Sequence, residues 1–384
     1  MSMVGGRSAA TTKYYINFEG GGWCTSLDDC YDRGYGKGRR KGSSVGLPDP
    51  FNLIELMDSW GNWYFSNRTD DGQGHSLNPI MHDWNMLQVL YCDGASWTGS
   101  NVSNTTHRGK QLYFRGKNNL DALIEDLVSN KGMSSATEVV ISGGSAGALA
   151  VYLHADAIRA KLPTSAKVVA LPDDGFFMDN NYSEAKGWAT LQRWVFEAQN
   201  STAGLSRRCL DMYNPKGEAW KCFFAQYAAP LIEVPLFALQ PMYDAYQVSA
   251  ELGTKEPAAV NAYGANLTAT LKAAVLTNSE NGAYLDGCLH HGGGWPAMQA
   301  QAEDKSWASP IDAFTQWYTA VGSSDTSNAS TTGNARARGT QRYWQTPSSG
   351  LLPNGRPATD FPCRACCPCR PNRTSGNFAE GCKL

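Results

Sequence analysis

The sequence contains no long hydrophobic run. No uninterrupted apolar stretch approaches the roughly 18–20 residues that a membrane-spanning helix needs. A charge excess is also missing, since 33 Lys and Arg residues are balanced by 35 Asp and Glu residues, for a formal net charge of −2. A chain without a basic excess has little electrostatic attraction for a phosphate backbone. We therefore expect no transmembrane segment and no nucleic-acid partner.

The N-terminus lacks the pattern of a secretory signal. Residues 1–6 contain neither a charged nor an extended apolar region, and the first predicted strand begins at Lys13. Two other features indicate the secretory pathway: 11 cysteines and eight Asn-x-Ser/Thr sequons. The sequons begin at Asn67, Asn101, Asn104, Asn181, Asn200, Asn266, Asn328 and Asn372. We expect a secreted, extracellular protein with N-glycans, from which an N-terminal segment is missing, and leave its oligomeric state open.

One motif carries most of the chemical information. The β-branched run at 139–141 leads into Gly143-Gly144-Ser145-Ala146-Gly147, and a helix-forming run at 146–160 follows. A strand, a sharp Gly-x-Ser-x-Gly turn and a helix form a nucleophile elbow, which exposes the serine hydroxyl near a helix N-terminus. Ser44 stands in the same Gly-x-Ser-x-Gly pattern, but no predicted strand or helix flanks it. We therefore interpret the turn at Ser44 as a loop and Ser145 as the candidate nucleophile.

Predicted strands alternate with predicted helices along the chain. Strands are expected at 13–18, 86–92, 138–142, 167–171, 234–240 and 283–285, and helices at 118–129, 146–160, 223–232 and 310–321. This alternation predicts an α/β-hydrolase-like fold with a mostly parallel central sheet and helices on both faces. We expect a catalytic domain over residues 1–321, followed by a low-complexity linker and a Cys-rich tail over 322–384.

A serine nucleophile needs a base, and histidine is scarce in this sequence. Only six histidines are present, and three of them follow Ser145: His154, His290 and His291. His154 falls on the helix after the elbow, where a structural role is expected. His290 and His291 follow a short predicted strand near the end of the domain, where α/β-hydrolases carry the base.

The acid that orients the base has two candidate positions. Asp173 and Asp174 follow the strand after the elbow helix, and Asp244 follows the next strand. Hydrolase topology most often places the acid on the later strand, which favours Asp244. The alternative role for Asp173 and Asp174 is a turn-capping pair before Gly175.

The tetrahedral intermediate of ester hydrolysis needs N–H donors for its oxyanion. One donor is expected from Ala146, directly after the nucleophile. Others are expected from the glycine segment, which we define as residues 19–23, after the first strand. This segment occupies the place of the His-Gly-Gly-Gly motif of lipases. The alternative is a simple glycine-rich turn with Trp23 packed in the core.

The cysteines are better explained by disulfides than by metal ligation. Cys24 with Cys30, and Cys209 with Cys222, are plausible short-range pairs. Zinc sites at the tail cysteines or at Cys288–His291 are the alternative. The sequon excess favours disulfides in the tail, and no further ligand completes a site at His290 and His291. We expect no metal and no cofactor.

The motifs occur together in the order found in one known family. They begin with Phe18-Glu19-Gly20-Gly21-Gly22-Trp23-Cys24, Tyr91-Cys92-Asp93-Gly94, Phe114-Arg115-Gly116 and Ser142-Gly143-Gly144-Ser145-Ala146-Gly147. They continue with Asp173-Asp174-Gly175-Phe176-Phe177, Cys222-Phe223-Phe224-Ala225-Gln226, Pro235-Leu236-Phe237, Tyr243-Asp244-Ala245-Tyr246-Gln247 and Cys288-Leu289-His290-His291. Over residues 13–321 the chain resembles the pectin acetylesterase family, which includes plant cell-wall acetylesterases and the animal carboxylesterase Notum.

The resemblance implies a role for individual residues. It implies Ser145 as nucleophile, Asp244 as acid and His291 as base, because the histidine of the family stands three residues after a cysteine. It also implies an oxyanion hole at Gly22, Trp23 and Ala146. The chain departs from plant members at Gly144, Ala148 and Gly292, and it lacks the N-terminal cysteine segment that would pair with Cys92.

These observations lead to one expected function and three alternatives. We expect a serine carboxylesterase that removes acetyl groups from a cell-wall polysaccharide such as pectin. The alternatives are an acetylesterase acting on another glycan, a Notum-like fatty-acyl carboxylesterase, and a non-catalytic carbohydrate-binding protein on the same scaffold. An acetyl site is small, whereas a fatty-acyl site needs a deep apolar chamber.

Overall fold

A computed structural model of the chain describes residues 2–4, 11–36, 41–43, 66, 69, 77–180, 187–292, 299–322, 342–353, 355 and 358–362. The strands are β1 (Ser2–Val4), β2 (Lys13–Phe18), β3 (Asn85–Val89), β4 (Thr105–His107), β5 (Lys110–Leu112), β6 (Glu138–Gly144), β7 (Lys167–Asp173), β8 (Phe237–Asp244), β9 (Gly282–His290), β10 (Ala300–Ala302), β11 (Trp307–Ala308) and β12 (Tyr343–Gln345).

The α-helices are α1 (Leu27–Tyr35), α2 (Gly116–Asn130), α3 (Ala146–Arg159), α4 (Trp188–Ala198), α5 (Arg207–Tyr213), α6 (Ala225–Ala228), α7 (Ala245–Gln247), α8 (Pro257–Val275) and α9 (Pro310–Ala320). Short 3₁₀ turns occur at Met133–Ser135, Ser201–Gly204, Asn214–Lys216, Ala219–Phe223 and Ala229–Leu231, and a π-helical turn at Val248–Leu252. No helix of the described residues is both long and apolar enough to cross a lipid bilayer.

The main sheet has the strand order β1-β3-β2-β6-β7-β8-β9-β12-β10-β11. Every pairing from β3 through β12 in this order is parallel, and the antiparallel pairings lie at the two edges. This arrangement confirms the predicted mostly parallel α/β sheet. It also brings the carboxyl ends of β2, β6, β7, β8 and β9 to one edge, where ligand sites of such sheets form.

Alternate residues of the central strands face two separate cores. Ile16 and Val139 belong to one hydrophobic cluster, whereas their neighbours Tyr15 and Val140 belong to the other. Residues of α2, α3 and α8 cover the first face, and residues of α9 cover the second. Because both faces are covered, the strands consist of nearly continuous apolar residues. Helices therefore lie on both faces of the sheet, as expected.

The strands that lead to the site are longer than the sequence predicts. The strand expected at 234–240 is β8, which continues past Pro241 to Asp244, with a register irregularity between Pro241 and Tyr243. Proline donates no backbone hydrogen bond, and the bulge accommodates this gap in the ladder. The strand expected at 283–285 is β9, which extends to His290. Both extensions deliver predicted site residues to the same edge of the sheet.

One strand comes from the segment predicted as linker and tail. β12 lies between β9 and β10, and its Trp344 is fully buried against Phe237. Ser44, the sequons at Asn67, Asn181, Asn328 and Asn372, and the tail cysteines from Cys363 onward lie outside the described residues. The division of the chain at residue 321 stays a prediction.

Candidate active site

The turn at Ser145 joins β6 to α3 in a strained conformation. Ser145 has φ 56° and ψ −123°, a backbone region that residues with a side chain rarely adopt. A Cβ atom on Gly143 would lie 2.4 Å from the carbonyl oxygen of Gly147, and one on Gly147 would lie 2.1 Å from that of Phe18. The two flanking glycines are therefore required by close backbone approach, as the elbow motif predicts.

Ser145, His291 and Asp244 form one chain of hydrogen bonds. The Ser145 hydroxyl lies 2.8 Å from Nε2 of His291, and Nδ1 of His291 lies 2.9 Å from Oδ2 of Asp244. If the neutral imidazole carries its proton on Nδ1, that N–H donates to the carboxylate and Nε2 accepts from the serine. The side chain of His291 is 21% exposed, so the base is open to a substrate.

Asp244 is completely buried, yet its carboxylate is well supplied with donors. It terminates β8 and caps α7, where Oδ1 accepts the backbone N–H of Gln247 at 2.9 Å. The Gln240 amide approaches Oδ2 at 3.4 Å, beside the His291 contact. A buried carboxylate is tolerated when hydrogen bonds replace its hydration. Of the two acid positions left open by the sequence, the structure brings Asp244 to the histidine.

Asp173 and Asp174 support the site from the end of β7. The carbonyl of Asp173 accepts the backbone N–H of Ser145 at 3.0 Å. Asp174 is fully buried at φ 57°, and its Oδ2 accepts the backbone N–H of Gly292, directly after His291. Burial, followed by the charges of Asp173, Asp244 and Asp286, raises the pKa of the Asp174 carboxyl well above its usual range. The Asp174 carboxyl therefore holds its proton to a higher pH than an exposed aspartate does.

The other two histidines form separate interactions. Nε2 of His290 lies 3.1 Å from Oδ2 of the buried Asp286. Burial lowers the pKa of His290, but the charge of Asp286 and the hydrogen bond to it outweigh burial, so the pKa is raised overall. His154 lies on α3 and donates from Nε2 to the carbonyl of Ser96 at 2.9 Å; burial is the main reason that its pKa falls to about 4. Among these three histidines, His291 is the one that contacts Ser145.

The glycine segment lies directly against the elbow. A Cβ atom on Gly20 would lie 2.6 Å from the carbonyl oxygen of Gly144 and 3.0 Å from Cβ of Ser145. Gly22 follows with φ 66°, and Trp23 is buried with its indole N–H donating to the Ser96 hydroxyl at 2.9 Å. Trp23 is thus packed in the core, as the alternative of a simple glycine-rich turn predicts. The segment nevertheless also borders the nucleophile, through Gly20.

Ala146 stands at the start of α3. The first N–H groups of a helix have no partner within it, and the N-terminus carries partial positive charge. Of the three residues expected to bind an oxyanion, Ala146 directly follows Ser145, and Gly22 and Trp23 belong to the segment whose Gly20 packs against Ser145.

Aromatic rings fill the space on one side of His291. The His291 ring lies 5.3 Å from that of Tyr246 and 6.3 Å from that of Phe177, centroid to centroid. Phe177 also contacts Trp23 at 4.8 Å and Trp188 at 6.0 Å. Phe177, Trp23 and Trp188 are each buried. We call these four residues (Trp23, Phe177, Trp188 and Tyr246) the aromatic cluster. The sequence motifs include Trp23, Phe177 and Tyr246, but none of them includes Trp188.

Both short-range cysteine pairs expected from the sequence are disulfides. Cys24 is bonded to Cys30, and Cys209 to Cys222. Cys288 is disulfide-bonded as well, whereas Cys92 is a free thiol. Within the described ranges, no group of three or more His, Cys, Asp or Glu side chains is arranged to hold a metal ion.

Comparisons with known proteins by family model and by sequence agree on one family. A family model described as Pectinacetylesterase matches residues 3–325. Pectin acetylesterase 11 of Arabidopsis thaliana is 31% identical over 311 residues, which cover 74% of this chain and 72% of the relative. Pectin acetylesterase 7 of the same plant is 34% identical over 246 residues, 63% of this chain and 56% of the relative.

Animal proteins are also similar to the chain. The palmitoleoyl-protein carboxylesterase NOTUM of Mus musculus is 25% identical over 254 residues, 64% of this chain and 46% of the relative. This match thus spans about half of that relative's length. Among solved structures, the Wnt deacylase Notum from Drosophila superposes with a TM-score of 0.67 over 83% of this chain and 86% of that chain. At 22% identity, this likeness establishes a shared fold.

The close approach at Gly147 predicts a sharp difference between two glycines of the elbow. Gly147→Ala places a methyl group 2.1 Å from the Phe18 carbonyl oxygen, whereas the same change at Gly144 meets no atom within 4 Å. We expect Gly147→Ala to lower the free energy of unfolding by about 3 kcal/mol or more, and Gly144→Ala to change it by less than about 1 kcal/mol. Denaturant unfolding of both variants is the measurement; equal effects would contradict the elbow geometry.

The buried Asp174 predicts a pH-dependent stability. Between its ordinary pKa of 3.8 and its raised folded-state pKa, the folded chain holds a proton that the unfolded chain releases, so this group lowers stability as the pH rises. Asp174→Asn keeps an acceptor oxygen for Gly292 but does not titrate. We expect its melting temperature, relative to wild type, to be higher at pH 7 than at pH 4.

The exposed Asp121→Asn is the control, because Asp121 pairs with Lys117 on the surface of α2. Its melting temperature should follow that of the wild type at both pH values. A difference between Asp174→Asn and wild type that is the same at pH 4 and pH 7 would show that Asp174 is ionised in the folded protein.

Proposed function

Because the chain belongs to the pectinacetylesterase family, a family of carboxylic ester hydrolases, we propose that it hydrolyses acetyl esters on a cell-wall polysaccharide such as pectin. The proposal assigns Ser145 as nucleophile, His291 as general base and Asp244 as the acid that orients it. The observation that carries this assignment is the position of His291, which lies within hydrogen-bond distance of both Ser145 and the buried Asp244.

The first half of the reaction transfers the acetyl group to the enzyme. The Ser145 oxygen forms a bond to the ester carbonyl carbon while its proton moves to Nε2 of His291. The positive charge that forms on the imidazole is stabilised by Asp244. The tetrahedral intermediate then collapses, the bond to the sugar oxygen breaks, and His291 returns the proton to the departing hydroxyl group.

The second half releases the acid. A water molecule gives a proton to His291 and attacks the acetyl carbon, and collapse of the second intermediate regenerates the Ser145 hydroxyl with the proton held by His291. In both halves the negative carbonyl oxygen accepts hydrogen bonds from the backbone N–H groups of Gly22, Trp23 and Ala146. The partial positive charge at the start of α3 supports the same oxygen.

The aromatic cluster favours a short acyl group over a long one. Its rings contact one another and His291, so they occupy space that a fatty-acyl chain would need beside the base. A fatty-acyl enzyme needs a deep apolar chamber for its acyl chain. The cysteine and sequon content supports secretion to the cell wall as a glycoprotein, and this localisation is part of the proposal.

The proposal is tested by measuring ester hydrolysis across acyl lengths, from acetyl to long fatty acyl, with acetylated pectin and acetylated xylan as polymers. We expect a preference for acetyl and release of acetate from pectin. Ser145→Ala and His291→Gln should each lower kcat by at least about 1,000-fold, since removal of one member disables the whole unit.

His290→Gln is the matched control for His291→Gln, because the neighbouring histidine contacts Asp286 rather than Ser145. It should retain most of the wild-type activity. A preference for long acyl chains would replace the proposal with a lipid carboxylesterase, and acetate release from xylan alone would change the glycan. Activity that survives in Ser145→Ala would overturn the site, and a folded wild type that neither turns over esters nor reacts with a fluorophosphonate would indicate a binding protein.

A further inference from the structure

Two carbonyl groups of the glycine segment are held by side chains from outside it. Nη1 of Arg33 donates to the carbonyl oxygen of Gly21 at 2.7 Å. The hydroxyl of Tyr91 donates to the carbonyl oxygen of Gly22, also at 2.7 Å. The two donors come from different elements, since Arg33 lies on α1 and Tyr91 follows β3. The carbonyl groups of Gly21 and Gly22 are thus each held by a different side chain.

Peptide geometry links these carbonyl contacts to the predicted oxyanion donors. In a trans peptide the C=O of one residue and the N–H of the next lie in one plane and point in opposite directions. The carbonyl that Arg33 holds belongs to the peptide whose N–H is that of Gly22. The carbonyl that Tyr91 holds belongs to the peptide whose N–H is that of Trp23. Each side chain therefore sets the direction of one of the two N–H groups.

Glycine makes such external support necessary. Gly21 has φ 154° and Gly22 has φ 66°, and glycine populates these regions about as readily as others. The peptides on either side of Gly22 can therefore rotate at small cost. Such a rotation would turn the N–H of Gly22 or Trp23 away from the reacting oxygen. Donors that are fixed before the charge develops stabilise a transition state most strongly.

Arg33 is itself held in a rigid setting. The side chain of Arg33 is 15% exposed, and its Nε contacts Oδ1 of Asp29 one turn earlier on α1, at 3.2 Å. The helix begins under a cap in which the Ser26 hydroxyl accepts the Asp29 backbone N–H at 3.1 Å. The Cys24–Cys30 disulfide ties this helix to the residue after Trp23. The helix that carries Arg33 is therefore covalently linked to the end of the glycine segment.

Tyr91 is held as firmly. Its side chain is buried, its ring packs 4.7 Å from that of Trp97, and its hydroxyl accepts the backbone N–H of Ser96 at 3.0 Å. With that N–H as donor, the hydroxyl proton is directed to Gly22. Burial, followed by the charge of Asp93, raises the pKa of Tyr91 well above its usual range, so the hydroxyl keeps its proton.

We propose that Arg33 and Tyr91 are positioning residues that aim the N–H groups of Gly22 and Trp23 at the oxyanion of the ester intermediate. Neither side chain is required to touch the substrate for this role. The inference rests on the proposed function, because it supplies the geometry of the oxyanion hole assigned there. It adds two residues from outside the triad and the glycine segment.

The test compares Tyr91→Phe and Arg33→Met with wild type in acetyl-ester hydrolysis and in binding of a trifluoromethyl ketone. That ketone forms a tetrahedral oxyanion with a nucleophilic serine and so reports on the oxyanion hole. We expect each variant to lower kcat by about 10- to 100-fold with little change in KM. The affinity for the ketone should fall by a similar factor.

Two surface substitutions serve as matched controls. Tyr35→Phe removes an exposed hydroxyl from α1 that bonds the Gln111 carbonyl at 2.7 Å. Arg108→Met removes an exposed guanidinium that pairs with Asp28 and Asp32 of the same helix. Both controls should match wild type in kcat and in ketone affinity, which excludes a general effect of losing a hydroxyl or a charge near α1.

The outcomes separate this inference from the proposed function. If wild type hydrolyses esters and both variants keep its kcat and ketone affinity, Arg33 and Tyr91 do not orient the donors. A fall in kcat that leaves ketone affinity unchanged likewise contradicts the inference, because it would reflect a structural defect elsewhere. If wild type itself fails to react with esters and fluorophosphonates, the proposed function fails first. Should one variant not fold, the other decides the question.

Discussion

The strained turn at Ser145 is the constraint on which the rest of the site depends. Its positive φ brings α3 so close to β2 that Gly147 lies against the Phe18 backbone. The same approach leaves room only for glycine at position 20, where the segment after β2 crosses the elbow. The nucleophile, the start of α3 and the glycine segment are therefore placed together by backbone contact. Side-chain contacts, such as those of Arg33 and Tyr91 with the glycine segment, then act on groups that backbone packing has already brought together.

Charge is the second constraint, because several acids meet at the carboxyl edge of the sheet. Asp244 accepts hydrogen bonds from its neighbours, while Asp174 has a raised pKa and accepts the N–H of Gly292. Asp174 thus holds the backbone after His291, and its raised pKa extends the pH range in which it adds no negative charge beside Asp244.

Much of the fold was predictable from local patterns, and the elbow is the clearest case. The run before Ser145 and the helix after it are specified by neighbouring residues, so β6 and α3 match their predicted positions closely. β8 was harder, because Pro241 resembles a strand end and only pairing on both sides carries the strand to Asp244. Helix α8 was missed although Pro257 and the spacing of Val260, Tyr263, Leu267 and Leu271 are typical of an amphipathic helix.

The candidate site was predictable where a motif carries its own geometry and not where distant side chains meet. Ser145, Asp244 and His291 were named in advance, and the structure brings them together. The contacts of Arg33 and Tyr91 with the glycine segment join residues that are 12 and 69 positions apart. No periodicity or spacing encodes such contacts. Tyr91 stood within a recognised motif, but its contact with Gly22 depends on tertiary packing.

The place of β12 in the sheet has a consequence for how the chain assembles. The strand that leads to His291 has β8 on one side and β12 on the other, and β12 lies more than 50 residues further along the chain. Until residues 343–345 have emerged from the ribosome, β9 presents an open edge with unpaired backbone groups. Such a contact of high sequence separation closes late. The pairing of β9 is therefore completed only after β12 has been synthesised, later than the elbow that holds the serine.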